Sequence, residues 1–289
     1  MKSSLVTVAI PVFNGETTLR ACLDSVIRQD YADVEILISD NASTDSTSEI
    51  CRKFAESNSE VRYIRQSNNI GPADNFLFLL NEAKGKYFIW AACDDVRTPG
   101  FLSENVSFLE ANPEYVASTS PNCFEGEEDD LGKRVNFSLE GSLEERFISF
   151  LENCWQSHGI FYSVIRTEVI RGYTGLSDSF TAADWIVDIY FLLNGKIHRT
   201  ETELTVFGRK GISNREGALS VFRKRKIERI FPLWEFSRRA VKMAEVLSYS
   251  GRFSVIREIW MINLRLLIRQ SYSLLYRILR SCIRGRIRN

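Results

Sequence analysis

The sequence lacks the short motifs by which several classes of binding protein are recognised. No GxGxxG follows the first predicted strand and no GxxxxGK[ST] occurs, which argues against a dinucleotide-binding Rossmann site and a P-loop. The six cysteines include no CxxC pair, and the two histidines lie far apart, so zinc is disfavoured and reduced thiols are expected. With no signal peptide and no apolar run of transmembrane length, we expect a cytoplasmic protein.

The net charge is zero, but the two parts of the chain have opposite charge. Acidic residues are scarce in 209–289, and basic residues are outnumbered in 1–208. Residues 209–289 contain 20 Lys and Arg but only 5 Asp and Glu, which leaves 17 basic and 32 acidic residues for 1–208. A basic segment on an acidic body predicts an anionic partner for that segment, or its docking on the body. We expect no nucleic acid among the partners.

Apolar runs of strand composition alternate with helical patterns over the first 120 residues. Strands are predicted at 5–13, 34–39, 61–66, 87–93 and 115–120, with a helical segment between each pair. This alternation predicts an α/β protein with a doubly wound, mostly parallel sheet flanked by helices. Ligands bind such sheets outside the carboxyl ends of the strands, where Phe13, Asn14, Asp40, Asp94 and Asp95 would converge.

The later part of the chain carries a looser pattern. An acid-rich loop is predicted at 121–140, helices at 143–155 and 182–194, and strands at 158–166 and 196–208.

Two adjacent carboxylates, Asp94 and Asp95, follow the fourth predicted strand. Neighbouring anions repel each other and resist desolvation, so this pair requires full solvation, a basic side chain, substrate hydroxyls or a cation. Hard oxygen ligands favour Mg²⁺ or Mn²⁺, and Mg²⁺ typically binds through one or two carboxylates together with substrate phosphates. A solvated or helix-capping pair is the alternative.

Three motifs are specific in combination and in this order: PVFN, SDNASTD and WAACDD. They resemble the inverting family 2 glycosyltransferases with the GT-A fold, strongly over residues 5–115 and more weakly over 155–213. The resemblance implies a Rossmann-like GT-A domain over 1–213, with a nucleotide-sugar-binding half at 1–120 and an acceptor half at 121–213. Residues 214–289 would then form a basic, amphipathic helical extension.

The resemblance also implies a reaction. A sugar would pass, with inversion, from a nucleoside-diphosphate sugar to a hydroxyl of a glycan or lipid-linked acceptor, assisted by Mg²⁺ or Mn²⁺. UDP- or dTDP-sugars are favoured, because an acceptor-only carboxylate at Asp40 suits the imide N–H of uracil or thymine. Surface polysaccharide or glycolipid synthesis is the expected setting.

Nucleotide-sugar contacts carry over by position. Phe13 would stack on the base, and the alternative role is that of a core aromatic side chain. Asp40 would accept a hydrogen bond from the imide N–H of the base, and the alternative role is that of an N-cap for the following helix. The full set is Pro11, Phe13, Asn14, Glu16, Asp40, Asn69, Gly71, Asp94, Arg209 and Lys210.

The metal motif departs from the family pattern in two places. The resemblance assigns Asp95 to the metal and Asp94 to the ribose or a metal-bound water, whereas Ala92 stands where many members have Asp. Many relatives place Arg and then His after the strand ending at Phe207, and this chain has Arg209 and Lys210 nearby. These side chains can neutralise phosphate, but an ammonium cannot ligate a metal. The metal would therefore be held mainly by Asp95, the diphosphate and water.

A general base is required, because the acceptor hydroxyl must lose its proton as it attacks. The resemblance assigns this role to Asp184, which precedes Trp185. Asp188 lies four residues further on, on the same helical face, and is the competing candidate.

Two helical patterns follow residue 216, with a break expected near Ser250 and Gly251. The second combines many arginines with an apolar stripe of Phe253, Ile256, Trp260, Leu264, Leu267, Leu274 and Ile278. Such a helix predicts binding to an anionic membrane surface, at the inner face of the plasma membrane. Packing of the stripe on the body or on another subunit is the alternative.

Two other functions stay open. The altered metal motif also suits a degenerate nucleotide-sugar binder or a membrane-recruited scaffold without turnover. A sugar nucleotidyltransferase is the other enzyme considered, but its loop after the first strand would be rich in glycine and basic residues, and PVFNGETTLR is not.

Overall fold

The computed structural model describes residues 4–209 and 225–286, and the side chains within them except those of His158 and 271–286. In these residues the strands are β1 Val6–Val12, β2 Val34–Asp40, β3 Val61–Arg65, β4 Tyr87–Trp90, β5 Val96–Arg97, β6 Tyr115–Thr119, β7 Asn122–Phe124, β8 Val164–Arg166, β9 Lys196–Arg199 and β10 Thr205–Phe207. Seven form one sheet in the order β3-β2-β1-β4-β8-β6-β9, and all neighbours are parallel except those of β8. The predicted doubly wound, mostly parallel sheet is confirmed.

Helices occupy both faces of this sheet. The α-helices of the described residues are α1 Leu19–Ile27, α2 Thr47–Ser57, α3 Pro72–Glu82, α4 Phe101–Ala111, α5 Leu143–Asn153, α6 His158–Phe161, α7 Thr167–Arg171, α8 Ala183–Asn194, α9 Trp234–Met243 and α10 Tyr249–Arg286. Short 3-10 turns lie at Leu131–Lys133, Cys154–Gln156, Lys226–Arg229 and Ala244–Val246. The five cysteines with described side chains are free.

Both faces of the central strands are buried, which explains their continuous apolar runs. Side chains alternate along each strand, so Ile36 and Ile38 pack with α1 and α2, while Leu37 packs on the opposite side. On that opposite side, Phe88 and Trp90 join a core that extends to the C-terminal helices. Burial of these side chains fixes the register that brings the strand ends to one edge.

The later predictions needed correction. The strand predicted at 158–166 is divided into α6 and β8, and β4 ends at Trp90 rather than at Cys93. The pattern at 196–208 is two strands in different sheets: β9 extends the main sheet, whereas β10 pairs with β5 and β7 in an unpredicted three-stranded sheet. The alternation of apolar and polar residues along 196–208 depends only on neighbouring residues. The change from one sheet to the other depends on strands that are distant in sequence, and no local pattern predicts it.

The C-terminal helices share their core with the rest of the protein. The inner face of α10 consists of Val255, Ile259, Ile262 and Leu266, which pack in one cluster with residues of α5, α8 and α9. The helix begins at Tyr249, just before the expected break. The predicted domain boundary between 213 and 214 lies outside the described residues, as does Lys210.

The predicted apolar stripe lies on the outer side of α10, and not on the face that packs on the body. Phe253 is 68% exposed and Trp260 is 62% exposed. Phe231 packs edge-on against Trp260 at 5.1 Å, which extends the surface beyond the helix. We call the C-terminal apolar surface the set Ile230, Phe253, Ile256, Trp260, Leu264 and Ile268, all of which are exposed. Side chains of Leu274 and Ile278 lie outside the described ones, and no described helix is long and apolar enough to span a bilayer.

Candidate active site

Three loops meet at the carboxyl edge of the main sheet. In the β1–β2 pair, Val12 is opposite Asp40, and on the other side of β1 Ala9 is opposite Trp90. The loops that follow β1, β2 and β4 therefore leave from neighbouring strands. They carry Phe13, then Asn41, then the acidic pair, so residues from three distant parts of the chain lie along one edge.

The loops after β1 and β2 are joined by reciprocal hydrogen bonds between side chains and backbone. Asn14 Oδ1 accepts from the Thr44 N–H at 2.8 Å, and the Asn14 N–H donates to Ser43 Oγ at 2.9 Å. The Glu16 carboxylate accepts from the Ser46 N–H at 3.0 Å, next to the start of α2. Asn14 and Glu16 therefore hold the loops in place, whatever contact they make with a nucleotide.

Phe13 is the exposed aromatic of this edge. It is 47% exposed, although it directly follows the fully buried β1. The core alternative for Phe13 is thus wrong. Pro11 is buried inside β1, opposite Ser39, two residues before the loop that begins at Phe13.

Asp40 is fully buried and its carboxylate already has three donors. Oδ1 accepts from the Ser43 N–H at 2.8 Å, while Oδ2 accepts from the Tyr63 hydroxyl and Arg65 Nη1, both at 2.9 Å. Burial and the Asp40 carboxylate raise the pKa of Tyr63 to about 12. Of this cluster, the Arg65 side chain is 44% exposed and can meet a ligand directly. Base recognition by Asp40 stays a prediction.

Asn41 ties the second loop to the turn at 69–71. Its Nδ2 donates to Asn69 Oδ1 and to the Gly71 carbonyl, both at 3.1 Å, and its Oδ1 accepts from the Ile70 N–H at 2.8 Å. Gly71 has a φ of +89°, which L side chains rarely adopt. The turn is therefore fixed beside the site, while its contact with a nucleotide stays a prediction.

Asp95 is buried and has an oxygen without a hydrogen-bond partner. Its Oδ1 accepts from the Gly208 N–H at 3.3 Å, but Oδ2 has no hydrogen-bond partner among the described residues. Burial raises the pKa of Asp95 to about 7, and the negative charge of Asp94 adds to this rise, against the opposing charge of Arg97. A Cβ at Gly208 would lie 2.6 Å from the Asp94 Cγ, so only glycine fits here.

The Asp95 carboxylate fits a divalent cation. A buried, unpartnered oxygen of a hard ligand is unfavourable alone, and it is the group that Mg²⁺ or Mn²⁺ would satisfy. No cluster of three His, Cys, Asp or Glu that could hold a metal ion occurs within the described ranges.

Exposure distinguishes the two candidate bases on α8. Asp184, at the first turn, is exposed, whereas Asp188 is 1% exposed and its Oδ1 has no hydrogen-bond partner among the described groups. The surrounding protein desolvates Asp184 and raises the pKa of its carboxyl, against hydrogen bonds from the N–H groups of Asp184 and Trp185. Burial and the charge of Asp184 raise the pKa of Asp188 well above its usual range. Asp184 is accessible to a substrate and Asp188 is not.

Sequence reasoning missed Tyr162, which directly follows α6 and packs against Phe207 of β10. Its pKa is raised by burial and further by the charges of Asp95, Asp184 and Asp94. The preceding helix α6 packs against α8, and the Tyr162 ring lies 5.9 Å from Phe207, the residue before the Gly208 that donates to Asp95.

Arg209 lies beside the acidic loop after β7. Its guanidinium contacts the Glu127 carboxylate at 2.8 Å, donates to the Glu125 carbonyl at 2.9 Å and lies over the Phe124 ring. In this arrangement its charge is compensated by Glu127. Its role toward phosphate stays a prediction.

Three residues other than glycine have positive φ among those described, and all border the site. They are Asn14 at 53°, Ala42 at 59° and Ala182 at 64°. Asn tolerates this region, but alanine does so at a cost, and such strain is concentrated at functional sites. Ala182 directly precedes the helix that carries Asp184.

A mostly parallel sheet with an exposed aromatic and an acidic pair at its carboxyl edge has its candidate site where open α/β sheets bind their ligands. A sequence model described as glycosyl transferase family 2 matches residues 7–171, more than half of the chain. The chain belongs to this family.

Curated relatives are glycosyltransferases. Glycosyltransferase GlyA of Streptococcus pneumoniae is 41% identical over 91 residues, which are 31% of this chain and 13% of that protein. The GalNAc(5)-diNAcBac-PP-undecaprenol beta-1,3-glucosyltransferase of Campylobacter jejuni is 28% identical over 168 residues, 57% of this chain and 53% of that protein. The chain spans less than two thirds of the length of either relative.

Solved structures share the fold at low identity. TarS of S. aureus has a TM-score of 0.67 at 16% identity, over 89% of this chain and 43% of that one. Mannosyltransferase PcManGT from Pyrobaculum calidifontis, in complex with GDP-Man and Mn²⁺, has a TM-score of 0.55 at 17% identity, over 97% and 83%. TarS 1-349 in complex with UDP-GlcNAc has a TM-score of 0.65 at 18% identity, over 89% and 71%. The fold is therefore GT-A.

Proposed function

We propose that the protein is an inverting, cation-assisted glycosyltransferase that takes its sugar from a nucleoside diphosphate. The observation that carries this proposal is Asp95 Oδ2, which is buried and has no hydrogen-bond partner in the described part of the chain, at the sheet edge that also exposes Phe13. A carboxylate in that state calls for a cation, and the aromatic ring offers a face for a base. The UDP-GlcNAc complex of TarS and the GDP-Man and Mn²⁺ complex of PcManGT support the same ligand class.

Donor binding would use the loops after β1 and β2, which hydrogen bonds join at the edge of the sheet. The exposed face of Phe13 can stack on a base, and the Asn14 and Glu16 hydrogen bonds keep this ring from collapsing onto the protein. The exposed guanidinium of Arg65 adds positive charge close to Asp40. A rigid polar frame reduces the ordering cost of binding a small ligand.

Asp95, with Asp94 beside it, would hold the cation. When bound, Mg²⁺ or Mn²⁺ supplies positive charge to the diphosphate as it departs. The protein's own part is to keep the carboxylates in position, with the Gly208 N–H on Asp95 Oδ1 and Arg97 as the compensating charge.

Asp184 would act as the general base. An acceptor hydroxyl forms a bond to the anomeric carbon while the bond from that carbon to the diphosphate oxygen breaks, and the hydroxyl proton passes to the Asp184 carboxylate. A raised pKa makes this carboxylate a better proton acceptor, and its exposure lets an acceptor reach it. Asp188 would remain protonated, because two neighbouring carboxylates repel each other when both are ionised.

The acceptor would be a glycan or a lipid-linked glycan at an anionic membrane surface. The Campylobacter jejuni relative carries an undecaprenol-linked substrate in its name, which supports a lipid-linked class. The C-terminal apolar surface could insert at the inner face of the membrane while the arginines of the segment remain near lipid headgroups. Peripheral attachment would bring Asp184 to acceptors that do not leave the bilayer.

A panel of nucleotide sugars tests this proposal. Thermal unfolding of the protein with UDP-, dTDP- and GDP-sugars, each with Mn²⁺ or EDTA, should show a cation-dependent rise in Tm for one base. The same donor should be hydrolysed slowly, with Asp184→Asn reducing turnover about 100-fold or more while the Tm rise is kept. Configuration of the transferred sugar, read by NMR, should be inverted.

Two results would contradict the proposal. No Tm rise with any donor would remove the nucleotide-sugar assignment. Binding without any turnover, unchanged in Asp184→Asn, would favour the degenerate binder, the second candidate, which Ala92 in the metal motif supports.

A further inference from the structure

Tyr162 lies between the two parts of the site that the chemistry must join. Its ring contacts Phe207 at 5.9 Å, and the next residue, Gly208, donates its N–H to Asp95. On its other side, Phe161 packs edge-on against Tyr162 at 5.1 Å, and α6 contacts α8, the helix of Asp184.

The Tyr162 hydroxyl is uncommitted. No hydrogen bond joins it to a described side chain or to the backbone of the described residues, and Tyr162 is only half-buried. Burial together with Asp95, Asp184 and Asp94 raises the pKa of the phenol, so it stays protonated at physiological pH. A half-buried phenol with no hydrogen bond to the described groups can both donate to and accept from a polar ligand that enters the site.

A rigid support places Tyr162. Arg199 is buried and donates from Nη1 to the Ser120 carbonyl at 2.8 Å and to Asn122 Oδ1 at 2.7 Å. α6 lies directly on this platform, because a Cβ at Gly159 would come within 2.7 Å of Asn122 Oδ1. A side chain on such a platform is held in place before a ligand arrives.

From this geometry we propose that the Tyr162 hydroxyl forms a hydrogen bond with the sugar being transferred. The proposal rests on the proposed function. A donor with its diphosphate at Asp95 and its anomeric carbon open to a hydroxyl near Asp184 must place its sugar between them, where the phenol lies. A neutral phenol both donates and accepts, as a sugar hydroxyl does. Tyr162 would then contact the sugar and leave the nucleotide untouched.

The test compares a nucleotide with its sugar. The donor that gives the largest Tm rise in the panel and its parent nucleoside diphosphate are titrated, with Mn²⁺, into wild type and Tyr162→Phe. We expect Kd for the nucleotide sugar to rise about fivefold to tenfold and Kd for the nucleotide to stay within twofold. Transfer kcat/KM should fall at least as much.

Tyr173→Phe is the matched control. Tyr173 packs on Tyr190 at 5.1 Å. The charged groups that shift the pKa of its phenol are Arg239 and Asp178, and not the carboxylates of the site. This variant should bind both ligands as wild type does.

Equal weakening of nucleotide and nucleotide sugar in Tyr162→Phe would indicate a structural role and overturn the inference. Unchanged affinity and turnover would overturn it as well. A wild-type protein that binds nucleotides but shows no preference for any sugar form would refute the inference alone, whereas one that binds no nucleotide removes the proposed function and this inference together.

Discussion

The carboxyl edge of the sheet and the outer face of α10 both expose aromatic side chains, but they do so in different surroundings. At the sheet edge, Phe13 stands among loops held by hydrogen bonds between side chains and backbone. On α10, Phe253 and Trp260 belong to a row of exposed apolar residues along one helix. A single ring in a polar frame suits a small ligand with a flat face, whereas a row suits an extended apolar surface.

The two regions also differ in the parts of the chain that hold their side chains in place. Residues of the sheet edge depend on three strands from distant parts of the chain, so each side chain has a defined position. The C-terminal apolar surface depends only on α10 lying with its other side on the core, through Val255, Ile259 and Ile262. Changes at the edge should therefore alter turnover and ligand affinity, and changes on α10 should alter attachment without altering the site.

The largest effect is expected from Asp95→Asn. The amide keeps the shape but loses the charge that a cation requires, so transfer should fall about 100-fold to 1000-fold. Turnover of the nucleotide sugar with Mn²⁺ measures this change. Activity within threefold of wild type would rule out Asp95 as a cation ligand.

The control for Asp95→Asn is stability without a cation. Because the folded pKa of Asp95 is about 7, above the usual carboxyl value, the folded protein keeps a proton that the unfolded chain has lost between pH 4 and 7. Stability is therefore lost as pH rises through this window, and Asp95→Asn should avoid that loss. The variant should unfold at a higher Tm than wild type at pH 8 in EDTA, with little difference at pH 4.

Liposome binding should show the next largest effect. Replacing Phe253 and Trp260 by Ser removes two exposed rings, which should weaken binding to anionic vesicles about tenfold or more. Leu131→Ser, at a site 70% exposed in the 3-10 turn after β7, is the matched control and should bind as wild type does. Donor hydrolysis should be unchanged in both.

Two outcomes would change this interpretation. Equal liposome binding by all three proteins would place the membrane contact elsewhere. A change in oligomeric state by light scattering, with liposome binding retained, would make the C-terminal apolar surface a contact between copies of the chain.

Phe13→Ala should affect affinity more modestly. Loss of base stacking is expected to raise Kd for the nucleoside diphosphate about tenfold, while Phe13→Tyr should stay near wild type because the ring face is kept. Isothermal titration measures both. A half-exposed side chain contributes little to the core, so a large fall in Tm for Phe13→Ala would indicate a structural role instead.

The smallest effect should come from Ala182→Gly. Ala182 has a φ of +64°, which glycine adopts without strain, so the variant should be more stable by about 0.5–1 kcal/mol. Denaturant unfolding measures this gain. If strain at Ala182 orients Asp184, kcat should fall slightly as stability rises, and Ala42→Gly provides the comparison away from α8. A loss of stability would show that the Ala182 methyl group matters more than its backbone.

Parts of the site could be predicted from local pattern. Apolar runs with a polar residue at the end identified Phe13, Asp40 and the region of Asp95, because strand ends are encoded by neighbouring residues. Tyr63 and Arg65 were missed, although they lie two residues apart and so share one face of β3. A systematic search for polar residues with this spacing could have found them.

Other features had no local signal. Asp184 and Asp188 have the same side chain on the same helical face, and only packing against the rest of the protein exposes one and buries the other. Tyr162 lay inside a predicted strand, and its relation to Asp95 arises through β10, a strand of the second sheet. The stripe on α10 was correctly seen as apolar, but which of its two apolar faces meets the core was decided by α5, α8 and α9.

The sequence by itself therefore determined the strands of the first 120 residues that build the main sheet, their order along the chain and the chemistry available at their ends, since periodicity and residue type act over a few neighbours. Tertiary structure alone decided which carboxylate is accessible, which is desolvated without a partner, and which side of α10 remains exposed. Solvent exposure and desolvation depend on residues brought together from far along the chain, and no local pattern records them.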